Sequence, residues 1–247
     1  MLWQAWHAFR DLLLPAHCAA CGLAAPADTR WPLCRPCSLR LAALIETPFC
    51  PRCGRTAGPH SADASGCAFC RKERLAYDAA VRVGPYEEPL RTLILRCKYE
   101  RKAALADVLG RLLAQRLAAA PWADLVQTIV PVPLHWTRRV HRGFNQSALV
   151  AGHLAAGDRE VAGRLMRVRA TVRQPQLPVA RRRQNVRGAF EVRRAADVAG
   201  RHVLVLDDVM ASGSTIGECA RMLRRAGARS VLAAFIATAD YDECGMF

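Results

Sequence analysis

Eight of the eleven cysteines fall into four C-x-x-C pairs, Cys18/Cys21, Cys34/Cys37, Cys50/Cys53 and Cys67/Cys70, separated by 12, 12 and 13 residues. Two such hooks joined by a short loop can present four thiolates tetrahedrally to one zinc ion, so the repeat predicts two structural zinc sites of four cysteines each. Gly22, Gly54 and Gly66 stand beside or near the hooks, where tight turns carry backbone amides toward the sulfurs. The simplest pairing is sequential, Cys18, Cys21, Cys34 and Cys37 on one ion and Cys50, Cys53, Cys67 and Cys70 on the other. Spacing leaves an interleaved cross-brace open. Competing readings make the hooks redox pairs, or let His17 or His60 replace a thiolate. Ligation by thiolates alone leaves no position for a catalytic water. Between Ala16 and Arg74 large apolar side chains are few. Metal binding, worth on the order of 10 kcal/mol in small zinc modules, must therefore organise that stretch. Of the remaining cysteines, Cys97, Cys219 and Cys244, Cys219 has helical spacing with Ile216 and Leu223 and reads as core.

Beyond about Leu75 the pattern changes from turn-rich knuckles to long apolar-periodic segments. Strands are predicted at 81–83, 125–133, 203–206 and 231–237, with a weaker one near 164–169. Helices are predicted at 90–95, 103–119, 146–156 and 215–225. Alternating strands and helices predict an α/β domain with a doubly wound parallel sheet over 75–247, preceded by a helix and double zinc module over 1–74. At 247 residues with 52% apolar side chains, the chain can bury a substantial core. This division predicts that chelation melts the first 74 residues and leaves the rest folded. No apolar run is long enough to span a membrane, and 1–10 lacks a basic start followed by an apolar stretch, so a cytoplasmic protein is expected. Leu12 to Pro15 reads as the end of an amphipathic packing helix.

Ligands of doubly wound sheets bind at the carboxyl ends of the strands. There the run Val203 to Leu206 leads into Asp207-Asp-Val-Met-Ala-Ser-Gly-Ser-Thr215 and then a helix. Paired carboxylates can accept hydrogen bonds from vicinal ribose hydroxyls, and a glycine-containing, hydroxyl-rich loop at a helix N-terminus suits a phosphate. This string resembles the fingerprint of type I phosphoribosyltransferases, which bind phosphoribosyl pyrophosphate (PRPP). The resemblance implies that Asp207 and Asp208 hold the ribose and carry the catalytic chemistry, while Ala211, Ser212, Gly213, Ser214 and Thr215 wrap the 5-phosphate. It further implies that Pro131 and Val132 belong to a pyrophosphate loop, and that 169–187 is a flap over the site. The leaving pyrophosphate needs cations; Lys98, Arg139, Arg142 and Arg181 to Arg183 are the candidates, with Mg²⁺ arriving on PRPP.

Val130-Pro-Val-Pro-Leu134, the string Arg142-Gly-Phe-Asn-Gln146, and Gln174, Arg183, Asn185 and Gly188-Ala-Phe190 further downstream, with the cysteine hooks in front, resemble the ComF family. That family and its GntX-like relatives are associated with DNA uptake in bacterial competence. One departure is Ala211-Ser212, where Thr-Thr is common. The formal charge of +15, with 33 of 36 basic residues arginine, falls to about +11 once two zinc–tetrathiolate sites are counted and still attracts phosphate-bearing partners. Three functions follow. One is a PRPP-binding protein that handles single-stranded DNA during uptake, the reading the resemblance favours. A second is an active phosphoribosyltransferase, a pentosyl-transferring enzyme with an unidentified acceptor. The third is a PRPP-responsive adaptor for a helicase-like DNA-uptake ATPase.

Overall fold

The structure, a computed structural model, describes residues 17–25, 32–58, 60–63, 65–100, 103–136, 140, 143–162, 165–172 and 177–239. The expected helix ending at Pro15 lies outside these residues, as do Arg139, Arg142, Gln174 and Cys244.

Five parallel strands form the central sheet: β3 (Ala80–Pro85), β4 (Thr128–Pro131), β5 (Glu160–Val161), β8 (His202–Met210) and β9 (Ser230–Thr238), in the spatial order β3-β9-β8-β4-β5. Both faces are covered, which is why the strands read as near-continuous apolar runs. The strand repeat of two still sorts side chains between two cores. Leu204, Leu206, Leu232 and Ile236 face one side, against α3 (Leu90–Tyr99), α4 (Ala103–Ala118) and α5 (Gln146–Leu154). Val203, Val205, Val231 and Phe235 face the other, against α7 (Ser214–Arg225). In α4, Leu105, Leu109, Leu112 and Leu113 recur at helical spacing and are all buried.

The predicted strand near 164–169 exists as β6 (Leu165–Arg167) but lies outside the main sheet. It pairs antiparallel with β7 (Phe190–Val192), and the two make a separate ribbon. Between them the expected flap contains a helix, α6 (Val179–Val186).

In the cysteine-rich region, α1 (Arg35–Ile45) begins within the second hook. The third and fourth hooks are joined by a small antiparallel pair, β1 (Ala62–Asp63) and β2 (Gly66–Cys67), and the one-turn helix α2 (Ala68–Arg71). Cys18, Cys34, Cys37, Leu33 and Leu41 belong to the same buried cluster as Val81, Leu90, and Leu232 and Ile236 of β9. The second cysteine set forms a small cluster of its own, backed by Phe69 and Leu75. Arg82 on β3, fully buried, ties this set to the sheet: its guanidinium donates to Thr56 Oγ1 (2.9 Å), to the Pro48 carbonyl (3.4 Å) and to Thr238. Among the described residues no helix is long and apolar enough to cross a membrane.

Candidate functional site

The sulfurs of Cys18, Cys21, Cys34 and Cys37 lie within 4.8 Å of one another, as do those of Cys50, Cys53, Cys67 and Cys70, so the hooks pair sequentially. Sulfurs at tetrahedral positions about 2.3 Å from zinc stand about 3.8 Å apart. The close pairs fit: Cys21–Cys34 is 3.6 Å, Cys50–Cys70 and Cys53–Cys67 are each 3.7 Å, and Cys67–Cys70 is 3.8 Å. These separations are far beyond a disulfide's roughly 2.0 Å. Gly66 has φ +108, and a Cβ built there would run into the Cys70 sulfur, so the hook closes only around glycine. The thiols share protons: a hydrogen bond from Cys53 holds Cys50 below the ordinary thiol range, and Cys53 is pushed up in turn. A divalent ion replaces those shared protons. The donor set suits zinc in two closed, structural sites.

A second constellation stands at the carboxyl ends of β4 and β8. Val132 N–H donates to the Leu206 carbonyl at 2.8 Å, which sets the start of the post-β4 loop beside the acidic pair. Asp207 and Asp208 follow in β8, both half-buried. Asp207 Oδ1 accepts from the Asp208 amide (2.9 Å). Asp208 Oδ1 accepts from the Val209 amide (2.7 Å) and faces Lys98 Nζ at 3.0 Å. Burial, and then the neighbouring Asp208 charge, push the Asp207 carboxyl up to about 7, against the pull of Lys98 and Arg167.

Beyond Met210 the chain turns through Ala211, Ser212 and Gly213 into α7. Gly213 has φ +73, a left-handed conformation that L side chains rarely adopt, although a Cβ there would meet only Met210 Sδ at 3.9 Å. Backbone conformation, and not space, calls for glycine at this position. Ser212 Oγ and Ser214 Oγ are 2.9 Å apart, and Ser212 Oγ accepts from the Ser214 amide at 3.4 Å. Hydroxyls and N-terminal amides, those of Ser214 and Thr215 among them, are thus gathered at the positive end of a twelve-residue helix.

The structure brings Lys98, Pro131 and Val132 to this end of the sheet. It also explains Asn145 of the Arg-Gly-Phe-Asn-Gln string: Asn145 caps α5 by accepting from the Ser147 amide (3.1 Å) and donates to the Val132 carbonyl (3.1 Å). Arg183 and Asn185 do not join the acidic pair. Exposed Arg183 pairs with Glu73 at 2.7 Å, and Asn185 donates to the Val172 carbonyl at 3.0 Å. Two residues without a signal in the sequence take part. Arg167 on β6 lowers the Asp207 carboxyl electrostatically, and Arg55 from the second cysteine set donates to the Ala211 carbonyl at 2.8 Å.

Comparisons with known proteins define the class. Residues 147–243 match the phosphoribosyl transferase domain and residues 9–72 match the double zinc ribbon domain. The class is therefore a phosphoribosyltransferase-type domain carrying a double zinc ribbon. DNA utilization protein YhgH of Salmonella typhi is 34% identical over 228 residues, covering 89% of this chain and 96% of that one. Competence protein F of Haemophilus influenzae is 31% identical over 205 residues, covering 81% and 87%. With likeness of that extent, the chain belongs to the ComF family, which includes both. Adenine phosphoribosyltransferase of Mycobacterium tuberculosis is 35% identical over 98 residues, 38% of this chain and 43% of that one. A solved structure of the allosteric regulatory enzyme of purine biosynthesis aligns with 53% of this chain and 25% of that one at 24% identity and a TM-score of 0.35, too distant to bear on function.

Proposed function

We propose that the protein binds PRPP at the carboxyl ends of β4 and β8 and serves the handling of single-stranded DNA during uptake. The observation that carries the ligand assignment is the paired carboxylates, Asp207 and Asp208, running directly into a glycine-led, hydroxyl-bearing loop at the N-terminus of α7. A carboxylate pair accepts from the ribose diol, and amides with a helix dipole hold the 5-phosphate. In this reading Asp207 and Asp208 are the ribose ligands and catalytic residues, and Ala211 to Thr215 form the phosphate cradle. Pro131 and Val132 open the pyrophosphate loop. Lys98, beside Asp208, is the candidate cation for the pyrophosphate, and Arg139, Arg142, Gln174, Arg183 and Asn185 are the further pyrophosphate and flap candidates. Mg²⁺ enters with PRPP and offsets its charge. Residues 1–74 form the zinc module and 75–247 the ligand-binding domain. The DNA role is supported by the names of the relatives, DNA utilization protein and competence protein, and by a charge of +15.

Calorimetric titration of PRPP with Mg²⁺ into the zinc-loaded protein tests the site, beside the Asp207→Asn/Asp208→Asn double variant. Binding by the parent and its loss in a folded variant are expected; equal affinity in both refutes the assignment. Repeating the titration with single-stranded DNA, and assaying pyrophosphate release, separates a DNA-handling protein from a transferase. DNA binding should weaken linearly in log salt.

A further inference from the structure

The second cysteine set and the proposed phosphate cradle are joined by one side chain. Arg55 follows the third hook and is 6% exposed. Its carbonyl accepts from the amide of Cys50, a metal-ligand residue, at 2.9 Å. Its guanidinium carbon lies 4.4 Å from the centroid of the Phe69 ring, and Phe69 stands between Cys67 and Cys70. Backbone and side chain of Arg55 are thus both held by the metal knuckle. The guanidinium reaches out of it, donating to the Ala211 carbonyl through Nη2 (2.8 Å) and to the Ala239 carbonyl through Nη1 (3.3 Å). The Ala239 amide in turn donates to the Met210 carbonyl at 2.9 Å, so Arg55 grips both strands where β8 and β9 end.

We infer that Arg55 is a positioning residue for the phosphate cradle and that the second zinc site sets the cradle's shape through it. The peptide plane supplies the reason. In a trans peptide the Ala211 C=O and the Ser212 N–H point in opposite directions. Anchoring that carbonyl on a buried guanidinium from behind therefore aims the Ser212 amide to the other side. A rotation of this peptide would strip a buried cation of an acceptor, which is costly. The guanidinium also places a fixed positive charge behind a loop that would receive a phosphate.

This inference rests on the phosphoribosyl reading for its ligand, but loop order can be measured without one. The test uses the zinc-loaded 247-residue chain and the variants Arg55→Met, which keeps much of the side chain's bulk, and Arg55→Lys, which keeps charge but cannot grip two carbonyls in a fork. Zinc stoichiometry and hydrogen exchange at the 211–215 amides are read first, then affinity for PRPP with Mg²⁺ and for ribose 5-phosphate. Both variants should retain two zinc ions. Exchange at 211–215 should quicken in Arg55→Met, and affinity for both ligands should fall by roughly tenfold or more, the scale of a lost charged hydrogen bond, with Arg55→Lys between. Unchanged exchange at 211–215 in either zinc-replete variant overturns the inference. If the parent binds neither ligand, the PRPP reading falls by itself, and quickened exchange in the variants still upholds Arg55 as the residue that holds the loop.

Discussion

Asp207 holds its proton more tightly than an ordinary aspartate because it is half-buried beside a second carboxylate, and that preference makes stability depend on pH. Its carboxyl is raised from 3.8 to about 7 by burial first and the Asp208 charge second. A raised folded-state value contributes stability that is fully present below the unfolded value and is lost as pH rises through the folded one. Asp207→Asn should therefore be no more stable than the parent near pH 4. It should gain an advantage that grows to about pH 7 and then levels off, with an upper bound of about 4 kcal/mol. Chemical denaturation at several pH values measures this; an advantage independent of pH would show that the carboxyl is not destabilised by its setting. The acidic pair was legible because adjacent aspartates, a glycine and three hydroxyl side chains sit in one short string. Lys98 as the partner of Asp208 was not, since the two meet across 110 positions of chain.

Elements reveal where apolar periodicity informs and where it misleads. The helices that cover the sheet follow it closely, and α4 and α5 pack so tightly that a Cβ on Gly110 would collide with the His153 ring and approach its Cβ to 2.9 Å. Gly110→Ala should destabilise the protein by about 1–3 kcal/mol through overpacking, despite the better helix propensity of alanine. A thermal midpoint at or above the parent's would mean that the helices separate at little cost. In the flap the pattern fails. Residues 179–186 carry arginines at three consecutive positions and read as loop, yet they form α6, in which Arg182 is 3% exposed and donates to the Leu177 carbonyl at 3.0 Å. A guanidinium can take an inward position when its donors are satisfied, and polarity counting cannot see that. The weak strand near 164–169 was detectable, but its antiparallel partner Phe190–Val192 is three residues long and left no periodic trace.

At the scale of the whole molecule, the zinc module and the sheet share packing. Cys18, Cys34, Cys37, Leu33 and Leu41 are buried with Val81, Val83, Leu90 and Ile94, while Arg82 and Arg55 bind the second cysteine set to the strand ends. This changes the expected outcome of chelation. Removing zinc should unfold the knuckles and also lower the stability of the sheet, because the departing module leaves Val81 and Leu90 partly uncovered and Arg82 without its Thr56 and Pro48 acceptors. Calorimetry with and without a chelator should show the zinc-loaded protein melting in one transition and the stripped protein's remaining transition shifted down. A sheet transition unmoved by complete zinc loss would indicate two independent units.

The sequence by itself determined the local patterns: four hooks able to bind metal, an acidic pair leading into a loop of glycine and hydroxyl side chains, and an alternation of apolar segments that admits a parallel sheet. Each is written in residues a few positions apart, where spacing alone constrains geometry. Tertiary structure decided the sequential pairing of the hooks, the contact of Lys98 with Asp208, the placement of β6 and β7 outside the main sheet, and the grip of Arg55 on the Ala211 carbonyl across 156 positions of chain. The reason is physical. A buried arginine donates to whichever carbonyls the packed fold brings within reach, and no local pattern encodes which strand ends will arrive there.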